Sequence, residues 1–371
     1  MKASIRQTMK KSGLNYFCAA VILLLPSCSS FNRSHVKPNL TGKSDIYQVL
    51  YHASLAGSSH NSQPWRVEVY GNDSILVFAD TTRKLPVVDP SGREMYMSVG
   101  AFIENLGIAA ACYGYTTDIR INKRLNGAVS PVASIRLSGS GKTPDKTALD
   151  EITKRMTLRI AFDTVPLNAE DKAVLMAGDQ ENIHFIDASA EKGIYLRKQA
   201  LAAYEQQAFN RQAQDELAGW MRFSNKDVRE NLDGLTTAGM GITGMGGFMV
   251  RNFYKPEDSK KESFVTQGVD KTKRLVENCG GWILISQPAD NVEGWINTGR
   301  LYQCIHLRCR KLNIGFHPMN QILEETKFRE DPRLFAGYPD PVLFIARVGY
   351  VSEYPEPVSV RRPVEGFTVF R

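Results

Sequence analysis

The order of apolar and polar residues predicts a chain that mixes helices with strands. Ser44 is a capping residue, and the apolar residues after it recur at helical spacing, which predicts a helix from about residue 45. Two short apolar runs at 66–70 and 74–79 are separated by the turn residues Gly-Asn-Asp, a pattern typical of a β-hairpin. A long helix with one broad apolar face is predicted at 96–113.

The second part of the chain repeats this mixture of elements. Residues 139–146 have the composition of a loop, which divides the chain into two halves. The pattern after this loop predicts a helix that carries Arg155 and Arg159, a polar helical region at 189–225, a strand at 281–286, a long helix at 291–311 and a strand at 342–348.

The two long predicted helices share a feature. Gly100 and Gly299 each stand fourteen residues before a residue that tolerates left-handed backbone, Gly114 and Asn313 respectively. This spacing suits a chain that is built from two similar halves.

One segment is longer than a connection between packed elements needs to be. Residues 205–270 are therefore expected to fold over another part of the molecule as a lid. Within this lid, residues 234–247 are too rich in glycine for a regular helix or strand.

The first 28 residues have the pattern of an export signal. Four basic residues precede an apolar run that is too short to cross a bilayer, which takes about 20 residues. The run ends in Leu25-Pro-Ser-Cys28, which resembles the bacterial lipobox and implies removal of residues 1–27 and acylation of Cys28. Residues 28–45 are then expected to be a flexible tether to the cell envelope. A simple cleaved signal or an uncleaved anchor is the alternative.

Composition and charge change this picture little. The chain is 43% hydrophobic and 23% charged, which excludes a disordered chain and a multi-spanning membrane protein. The formal net charge is +7, but residues 1–27 carry four basic residues and no acidic one, so the mature chain carries +3. No basic stripe interleaved with aromatic residues is present, so we expect no nucleic-acid partner.

Four cysteines follow Cys28, namely Cys112, Cys279, Cys304 and Cys309. Their spacing fits no metal site. An exported protein can form disulfides, but three of the four lie in apolar helical sequence, so we expect buried free thiols.

Several short segments carry the candidate chemistry. Ser58-Ser-His-Asn-Ser-Gln-Pro-Trp65 resembles the flavin-binding segment of the nitroreductase-like family, Pro-Ser-x-x-Asn-x-Gln-Pro-Trp, with Gly57 in place of the proline. Further segments match in the same order: Asp89-Pro-Ser-Gly-Arg-Glu94, Val99-Gly-Ala, Arg155-Met-Thr-Leu-Arg159, Asn313-Ile-Gly-Phe-His-Pro318 and Arg347-Val-Gly349. Together they are most similar to the fused, two-repeat Acg-like branch of that family, over about residues 45–350.

This resemblance implies a mixed α/β (α+β) chain with the nitroreductase-like fold, in which two fused halves hold one FMN. The implied divisions are a first half at 46–140, a second half at 147–350 that contains the lid, and a C-terminal extension at 351–371. In the family's homodimers the two flavin-binding segments come from different subunits. Here they stand in different halves of one chain, so we expect a monomer.

The phosphate of FMN calls for guanidinium groups, which form bidentate charged hydrogen bonds. Arg155 and Arg159, four apart on the predicted helix, point the same way. The resemblance implies that these two arginines and Thr157 bind the phosphate, with Arg347 as a further basic residue. Without the resemblance, Arg155 and Arg159 are typical of a solvated helix face.

The resemblance also implies contacts with the flavin ring. The residues that meet the ring and its polar edge are Ser58, Ser59, His60 and Asn61. The residues at the position where a backbone N–H faces the flavin N5 are Gly315, Phe316, His317 and Pro318. No side chain is assigned a proton-transfer role, and the Ser58 segment taken alone also fits a capped turn beside a buried tryptophan.

Three functions remain open at this stage. The first is an FMN oxidoreductase that passes two electrons to an electron-poor small molecule, with NAD(P)H a doubtful donor outside the cytoplasm. The second is an envelope lipoprotein that binds or sequesters flavin without rapid turnover, which the lid favours. The third is a structural lipoprotein without flavin, anchored to the membrane through its lipid alone.

Overall fold

The computed structural model describes residues 30–123 and 129–371. The expected signal segment and Cys28 lie outside this part of the chain. The strands, numbered in chain order, are β1 (Trp65–Tyr70), β2 (Ser74–Ala79), β3 (Tyr115–Ile121), β4 (Ala133–Gly139), β5 (Ile183–Asp187), β6 (Met221–Arg222), β7 (Leu235–Thr236), β8 (Gly281–Ser286), β9 (Ile314–Pro318), β10 (Val342–Tyr350) and β11 (Thr368–Phe370).

The α-helices of the same part of the chain are numbered in the same way. They are α1 (Asp45–Ser54), α2 (Arg93–Cys112), α3 (Thr147–Lys154), α4 (Ala169–Met176), α5 (Glu191–Ala208), α6 (Arg211–Trp220), α7 (Asn225–Asn231), α8 (Gly244–Phe253), α9 (Glu262–Glu277), α10 (Val292–Lys311), α11 (Gln321–Glu324), α12 (Thr326–Arg329) and α13 (Pro332–Phe335). The predicted mixture of helices and strands is therefore confirmed.

Two sheets have the same internal order. The first runs β11-β1-β2-β4-β3, and the second runs β5-β8-β10-β9. Numbered within its own half, each sheet has the order first, second, fourth, third, with antiparallel neighbours. A 20-residue helix, α2 or α10, connects the second strand to the third in each half.

The helices α2 and α10 cross at the two glycines that the sequence singles out. A Cβ atom on Gly100 would lie 2.1 Å from the Ile296 carbonyl oxygen, and one on Gly299 would lie 2.0 Å from the Met97 carbonyl oxygen. Only glycine permits this approach of the two backbones. The apolar α2 is long enough to cross a membrane, but most of it is buried inside the described fold, as in the core helix of a globular protein.

The C-terminal extension completes the sheet of the first half. Its strand β11 lies parallel to β1, with Thr368 beside Val67. Phe367 packs edge-on against Phe102 of α2, 5.9 Å between ring centroids, and Phe102 stacks on Trp65. This packing brings residues 351–371 to the same side of the fold as the segment before β1.

The lid region has a small core of its own. Met221, Phe223 and Val250 are buried together, and β6 pairs with β7. The expectation that residues 234–247 form no regular element was wrong, because β7 lies within them and α8 begins at Gly244. Glycines supply the left-handed turns before and at the start of α8, and the apolar residues after Gly247 then favour helix.

Residues 30–45 also differ from the expected flexible tether. Arg33 begins a 3-10 turn, Arg33–Val36, and its side chain is buried. Its guanidinium donates to the Ser359 carbonyl at 3.0 Å and to the Thr153 carbonyl at 2.9 Å. The chain is therefore fixed to the fold from this turn onward.

The four cysteines of the described chain are free thiols, as expected. Cys112, Cys279 and Cys309 are buried, and Cys304 is half-buried.

Candidate functional site

A cleft between the halves brings together residues that are far apart in sequence. It has about 460 Å³ of empty space, counting its mouth. Five of the predicted site residues line it: Ser58, Asn61, Arg155, Thr157 and Arg159. The rest of the wall consists of Gly57, Met156, residues 234–236 and Gly239 of the lid, Arg33, Ser359 and Arg361.

The segment between α1 and β1 has an unusual backbone. His60, Asn61 and Gln63 all adopt positive φ, at 48°, 53° and 53°. Such conformations are uncommon for residues other than glycine and persist where the surrounding structure fixes them, often at functional sites. Here the Gln63 N–H donates to Ser58 Oγ at 3.0 Å, and the Arg362 N–H donates to Gln63 Oε1 at 2.8 Å.

Asn61 connects this segment to the lid and to the C-terminal extension. Its Oδ1 accepts a hydrogen bond from Arg361 Nη1 at 2.8 Å. Its Nδ2 donates to the carbonyl oxygens of Gly234 at 3.2 Å and Val360 at 3.3 Å. The Asn61 amide is therefore held in one orientation at the wall of the cleft.

Residues 155–159 belong to no helix or strand, so the predicted helix through Arg155 and Arg159 was wrong. Helix α3 ends at Lys154, and tertiary hydrogen bonds replace those of a further turn. The Tyr354 hydroxyl donates to the Met156 carbonyl at 2.7 Å, and the Leu158 N–H donates to the Phe316 carbonyl at 3.1 Å. The backbone leaves the helix at Arg155, whose torsions are extended, and Arg155, Thr157 and Arg159 all line the cleft.

The cleft is strongly positive. Arg155 Nη2 and Arg361 Nη2 both donate to the Leu55 carbonyl, at 2.8 Å and 3.4 Å, so these two nitrogen atoms lie within about 6 Å of each other. Arg159 Nη1 donates to the Gly239 carbonyl at 3.0 Å. Within residues 30–123 and 129–371, the acceptors of these guanidiniums and of Arg33 are carbonyl oxygens, the Asn61 amide and the His306 ring, and no carboxylate pairs with them.

The titration of this cluster reflects burial and mutual repulsion. Burial, together with the positive charge of Arg155, lowers the pKa of Arg33 to about 10. Burial also lowers the pKa of Arg361, and the positive charges of Arg33 and Arg155 lower it in the same direction. Like charges buried together without an anion are costly. A bound anion would remove this cost.

The site offers polar atoms without protein partners. Arg155 Nε and His60 Nδ1 are buried, and neither has a hydrogen-bond partner in the described chain. Burial lowers the pKa of His60 to about 4, with a contribution from Arg159, so its ring is neutral at physiological pH. Arg155 lines the cleft, and His60 stands between Ser58 and Asn61, of which both line it, although His60 itself does not. An unused guanidinium N–H and a neutral imidazole near this wall fit the phosphate and the polar ring edge of FMN.

The remaining predicted residues lie outside this cleft. Ser59 is next to it, and its N–H donates to Ser98 Oγ at 3.2 Å. The buried strand β9 carries Gly315–Pro318, where Phe316 stacks on His306 with 4.4 Å between ring centroids. These four residues line no part of the cleft wall described above.

Arg347 has its guanidinium occupied within the protein. It donates to His317 Nδ1 at 3.1 Å, to the Asn278 carbonyl at 3.2 Å and to the Ile160 carbonyl at 2.7 Å, and it lies over the Phe162 ring. Ile160 directly follows Arg159 in the chain. Arg347 therefore holds the end of the Arg155–Arg159 segment from behind.

Sequence reasoning missed Arg33 and Arg361. Both lie in segments that were expected to be peripheral. The pair Arg361-Arg362 before a proline was a signal in the C-terminal extension, because paired guanidiniums are typical of anion sites.

Gly57 stands where the motif Pro-Ser-x-x-Asn-x-Gln-Pro-Trp has proline, and the packing around it explains the difference. A Cβ atom on Gly57 would lie 2.5 Å from the Tyr302 hydroxyl oxygen and 3.5 Å from Arg155 Nη1. The space beside this backbone is therefore taken by Tyr302, which stacks on Phe344 at 4.9 Å between ring centroids.

The chain is similar to nitroreductases over part of its length. It is 33% identical over 123 residues to the "Putative NAD(P)H nitroreductase acg" of Mycobacterium tuberculosis, across 33% of this chain and 37% of that protein. It is 30% identical over 144 residues to the "Probable NAD(P)H nitroreductase PigM" of Serratia sp., across 38% of this chain and 40% of that protein. The chain thus matches less than half the length of these curated relatives.

Two solved structures match more of the chain at lower identity. One is a nitroreductase-like family protein from Bacillus cereus, at 14% identity and a TM-score of 0.32, over 61% of this chain and 96% of the other. The second is described as "a putative nitroreductase" from Anabaena variabilis, at 12% identity and a TM-score of 0.38, over 83% of this chain and 73% of the other. No protein-family model matches the chain.

Proposed function

We propose that the chain is an FMN-dependent oxidoreductase of the nitroreductase type. It passes two electrons through its flavin to an electron-poor organic acceptor, such as a nitro compound or a quinone. The observation that carries this proposal is a cluster of guanidiniums that no carboxylate of the described residues pairs with. They line a cleft together with Ser58 and Asn61, from the segment that holds positive φ at His60, Asn61 and Gln63. The similarity to nitroreductases supports it.

The residues of the cleft have separable tasks in this proposal. Arg155, Thr157 and Arg159 hold the phosphate, to which Arg155 Nε is an unused donor. His60 and Asn61 face the polar edge of the ring. The flavin supplies the electron-transfer chemistry when bound, and the protein supplies binding, orientation and electrostatics.

Arg361 acts indirectly in this scheme. All three of its guanidinium nitrogens donate to protein acceptors, among them Ser54, Asn61 and Ala56. It fixes the Ser58 segment and adds positive potential to the cleft. We assign the same supporting role to Arg347, which fixes the other segment through Ile160.

The lid favours a second candidate function, the sequestering of flavin without rapid turnover. Three contacts close it over the two flavin-binding segments: Asn61 donates to Gly234, Gln63 donates to Leu232 at 2.9 Å, and Arg159 donates to Gly239. A lid held in this way limits the access that an acceptor molecule needs.

We propose further that the two halves are fused repeats around one site. The shared strand order, the matching 20-residue helices and their crossing at Gly100 and Gly299 support this proposal. We expect a monomer, because the two halves of one chain already pack against each other through these helices.

Envelope anchoring through Cys28 is also a proposal. Phe31, the third residue after Cys28, lies at the lid, where its N–H donates to Asn225 Oδ1 at 2.8 Å and its ring lies under Arg229. We expect wild-type chain to incorporate labelled palmitate in a bacterial host and Cys28→Ser to lose the label. Equal labelling of both would remove the anchor.

An anaerobic reduction experiment separates the two functions. Purified chain reconstituted with FMN should show a flavin absorption spectrum. Prompt bleaching by NADPH or by a quinol supports the oxidoreductase and contradicts sequestration. Bleaching by dithionite alone supports sequestration, and a chain that stays colourless after incubation with FMN overturns both.

A further inference from the structure

Helix α8 of the lid leaves large apolar side chains in solvent. Met245, Met249 and Phe253 follow one another at intervals of four residues, which places them on one face of the helix. Their exposed fractions are 75%, 45% and 66%, and Tyr254, which follows α8, is exposed too. Single exposed apolar residues are ordinary on a protein surface, but a row of neighbouring ones marks an interaction surface.

Another face of α8 holds the helix to the lid. Val250 is buried in the small lid core together with Met221 and Phe223. Gly247 lies against the chain before the helix, since a Cβ atom on it would be 2.7 Å from the Ile242 carbonyl oxygen. These contacts fix α8 and leave its exposed row available to a partner.

The charge around α8 has one sign. Residues 234–256 contain Arg251 and Lys255 and no acidic residue. Lys255 is exposed just beyond the end of the helix. An apolar helix face with basic side chains at its margin is typical of a segment that lies in the interface of a bilayer, where the basic groups meet anionic lipid headgroups.

The place where the chain enters the fold also indicates a bilayer. Cys28, the proposed lipid attachment site, is three residues before Phe31, and three residues span at most about 11 Å. Phe31 lies on the lid, where its N–H donates to Asn225 Oδ1 and its ring lies under Arg229. Phe223 of the lid core stands two residues before Asn225. The lid that carries α8 therefore also receives the segment that would lead to the lipid.

We propose that the exposed face of α8 binds the surface of the lipid bilayer. Met245, Met249 and Phe253 enter the boundary between headgroups and acyl chains, and Arg251 and Lys255 lie toward anionic headgroups. The inference rests on the proposed anchoring through Cys28. The lipid holds the chain at the membrane, and α8 fixes the side that the chain presents to it.

The chain before α8 connects this surface to the cleft. Arg159 Nη1 donates to the Gly239 carbonyl, and Lys271 Nζ donates to the Gly241 carbonyl at 2.9 Å. Helix α8 begins three residues later, at Gly244. Binding of α8 to the bilayer would therefore place the lid, and the part of the cleft wall that the lid forms, next to the membrane.

Fluorescence quenching by brominated lipid measures this contact. The acylated protein is reconstituted on vesicles of phosphatidylethanolamine and phosphatidylglycerol, with either brominated or unbrominated acyl chains. Phe253→Trp adds one fluorophore to the exposed row, and the emission of the wild-type protein is subtracted. The added emission should fall at least about twofold in the brominated vesicles, because the ring lies at the acyl chains.

A tryptophan elsewhere on the surface is the matched control. Val174→Trp lies on α4, where Val174 is 42% exposed, and its added emission should be the same in both kinds of vesicle. If the Phe253→Trp protein floats with the vesicles and its added emission is also the same in both, the proposal is overturned. A second copy of the chain or another protein that covered the row would give this contradicting result.

The fate of the anchor is measured separately. If Cys28 takes up no labelled palmitate, the anchoring proposal fails, and the protein is added to the same vesicles from solution. Quenching of the Phe253→Trp emission then still supports binding through α8, because the tryptophan reports only its own surroundings. Absence of quenching in that case overturns the inference as well.

A charge within the row tests the assignment to this face. In the Phe253→Trp background, Met249→Asp should abolish the quenching, because a carboxylate resists transfer to an apolar environment. Val174→Asp in the same background adds the same charge at a site of nearly equal exposure and should leave the quenching unchanged. Both sites are exposed, so thermal unfolding should match that of Phe253→Trp alone. Quenching that survives Met249→Asp overturns the assignment.

Discussion

Replacing Arg155 by methionine should make the flavin-free protein more stable and its flavin binding weaker. Methionine keeps much of the volume of the buried side chain but removes its charge. Arg155 is 2% exposed, and it shares the Leu55 carbonyl with Arg361. Replacing an arginine that only stabilises the fold would lower the stability of the flavin-free protein. A gain in stability together with a loss of FMN affinity therefore identifies a cation that is kept for ligand binding.

The magnitudes follow from the geometry of this pair. If the two charges are taken to be about 6 Å apart, the largest separation that the shared carbonyl allows for these nitrogen atoms, they repel by about 3 kcal/mol at an effective dielectric constant of about 20. The lost hydrogen bond to Leu55 costs about 1.5–2 kcal/mol, because that carbonyl keeps its bond from Arg361. The contact of Arg155 Nη1 with His306 Nδ1, at 3.4 Å, is too long to add much to this loss. The free energy of unfolding of the flavin-free chain should therefore rise by about 1 kcal/mol. The lost contact with the phosphate, about 1.5–3 kcal/mol, should raise the Kd for FMN about tenfold to hundredfold.

Urea unfolding of the flavin-free chain and fluorescence titration with FMN measure the two quantities. Arg308→Met is a matched control, since Arg308 also donates to a backbone carbonyl, that of Leu175, at 3.1 Å. It should lower the free energy of unfolding by about 1 kcal/mol and leave the Kd for FMN unchanged. An Arg155→Met chain that loses stability and binds FMN as tightly as wild type would refute the reasoning.

Three further substitutions test separate contacts. Gly57→Ala should lower the free energy of unfolding by about 1–3 kcal/mol, because its Cβ meets the Tyr302 hydroxyl, and adding Tyr302→Phe should restore part of this loss in thermal unfolding. Gly299→Ala should cost about 3 kcal/mol or more, because its Cβ meets a backbone carbonyl on α2 that has no room to move. Glu94→Gln should flatten the pH dependence of unfolding, because burial, helped by the nearby Glu324 carboxylate, raises the pKa of Glu94 well above its ordinary value of 4.5, so that wild type loses stability as pH rises above that value.

The outcomes that contradict these three expectations are distinct. A Tyr302→Phe change that leaves the Gly57→Ala defect untouched removes the assigned clash. A Gly299→Ala chain as stable as wild type removes the close crossing of α2 and α10. Equal pH dependence of Glu94→Gln and wild type between about pH 5 and 8 shows that this carboxyl is ionised in the folded chain.

Sequence periodicity predicted the elements whose patterns are local. The hairpin at 66–79, the strand at 281–286 and the two long helices lie within a few residues of their expected bounds. The Ser44 cap is present, since its side chain accepts a hydrogen bond from the Tyr47 N–H. Each of these signals depends on neighbours along the chain, so no tertiary contact is needed to read it.

The parts that failed depend on tertiary contacts. The pattern around Arg155 is helical, yet Tyr354 and Phe316, about 200 and 160 residues further along the chain, take the hydrogen bonds that would continue α3. The extension at 351–371 carries no strong pattern, and β11 forms only because β1 offers a free edge. Arg33 and Arg361 also reach the cleft through residues far along the chain, Ser359 for the first and Ser54 for the second, so periodicity around them could not place them there.

The affinity of the chain for FMN compared with riboflavin tests the central claim most directly. The two flavins differ only in the phosphate, which we assign to the guanidiniums of the cleft, since no carboxylate of the described residues pairs with them. The account predicts that FMN binds at least about a hundredfold more tightly than riboflavin, since the phosphate gains two or more charged hydrogen bonds. Equal affinities for FMN and riboflavin would contradict it.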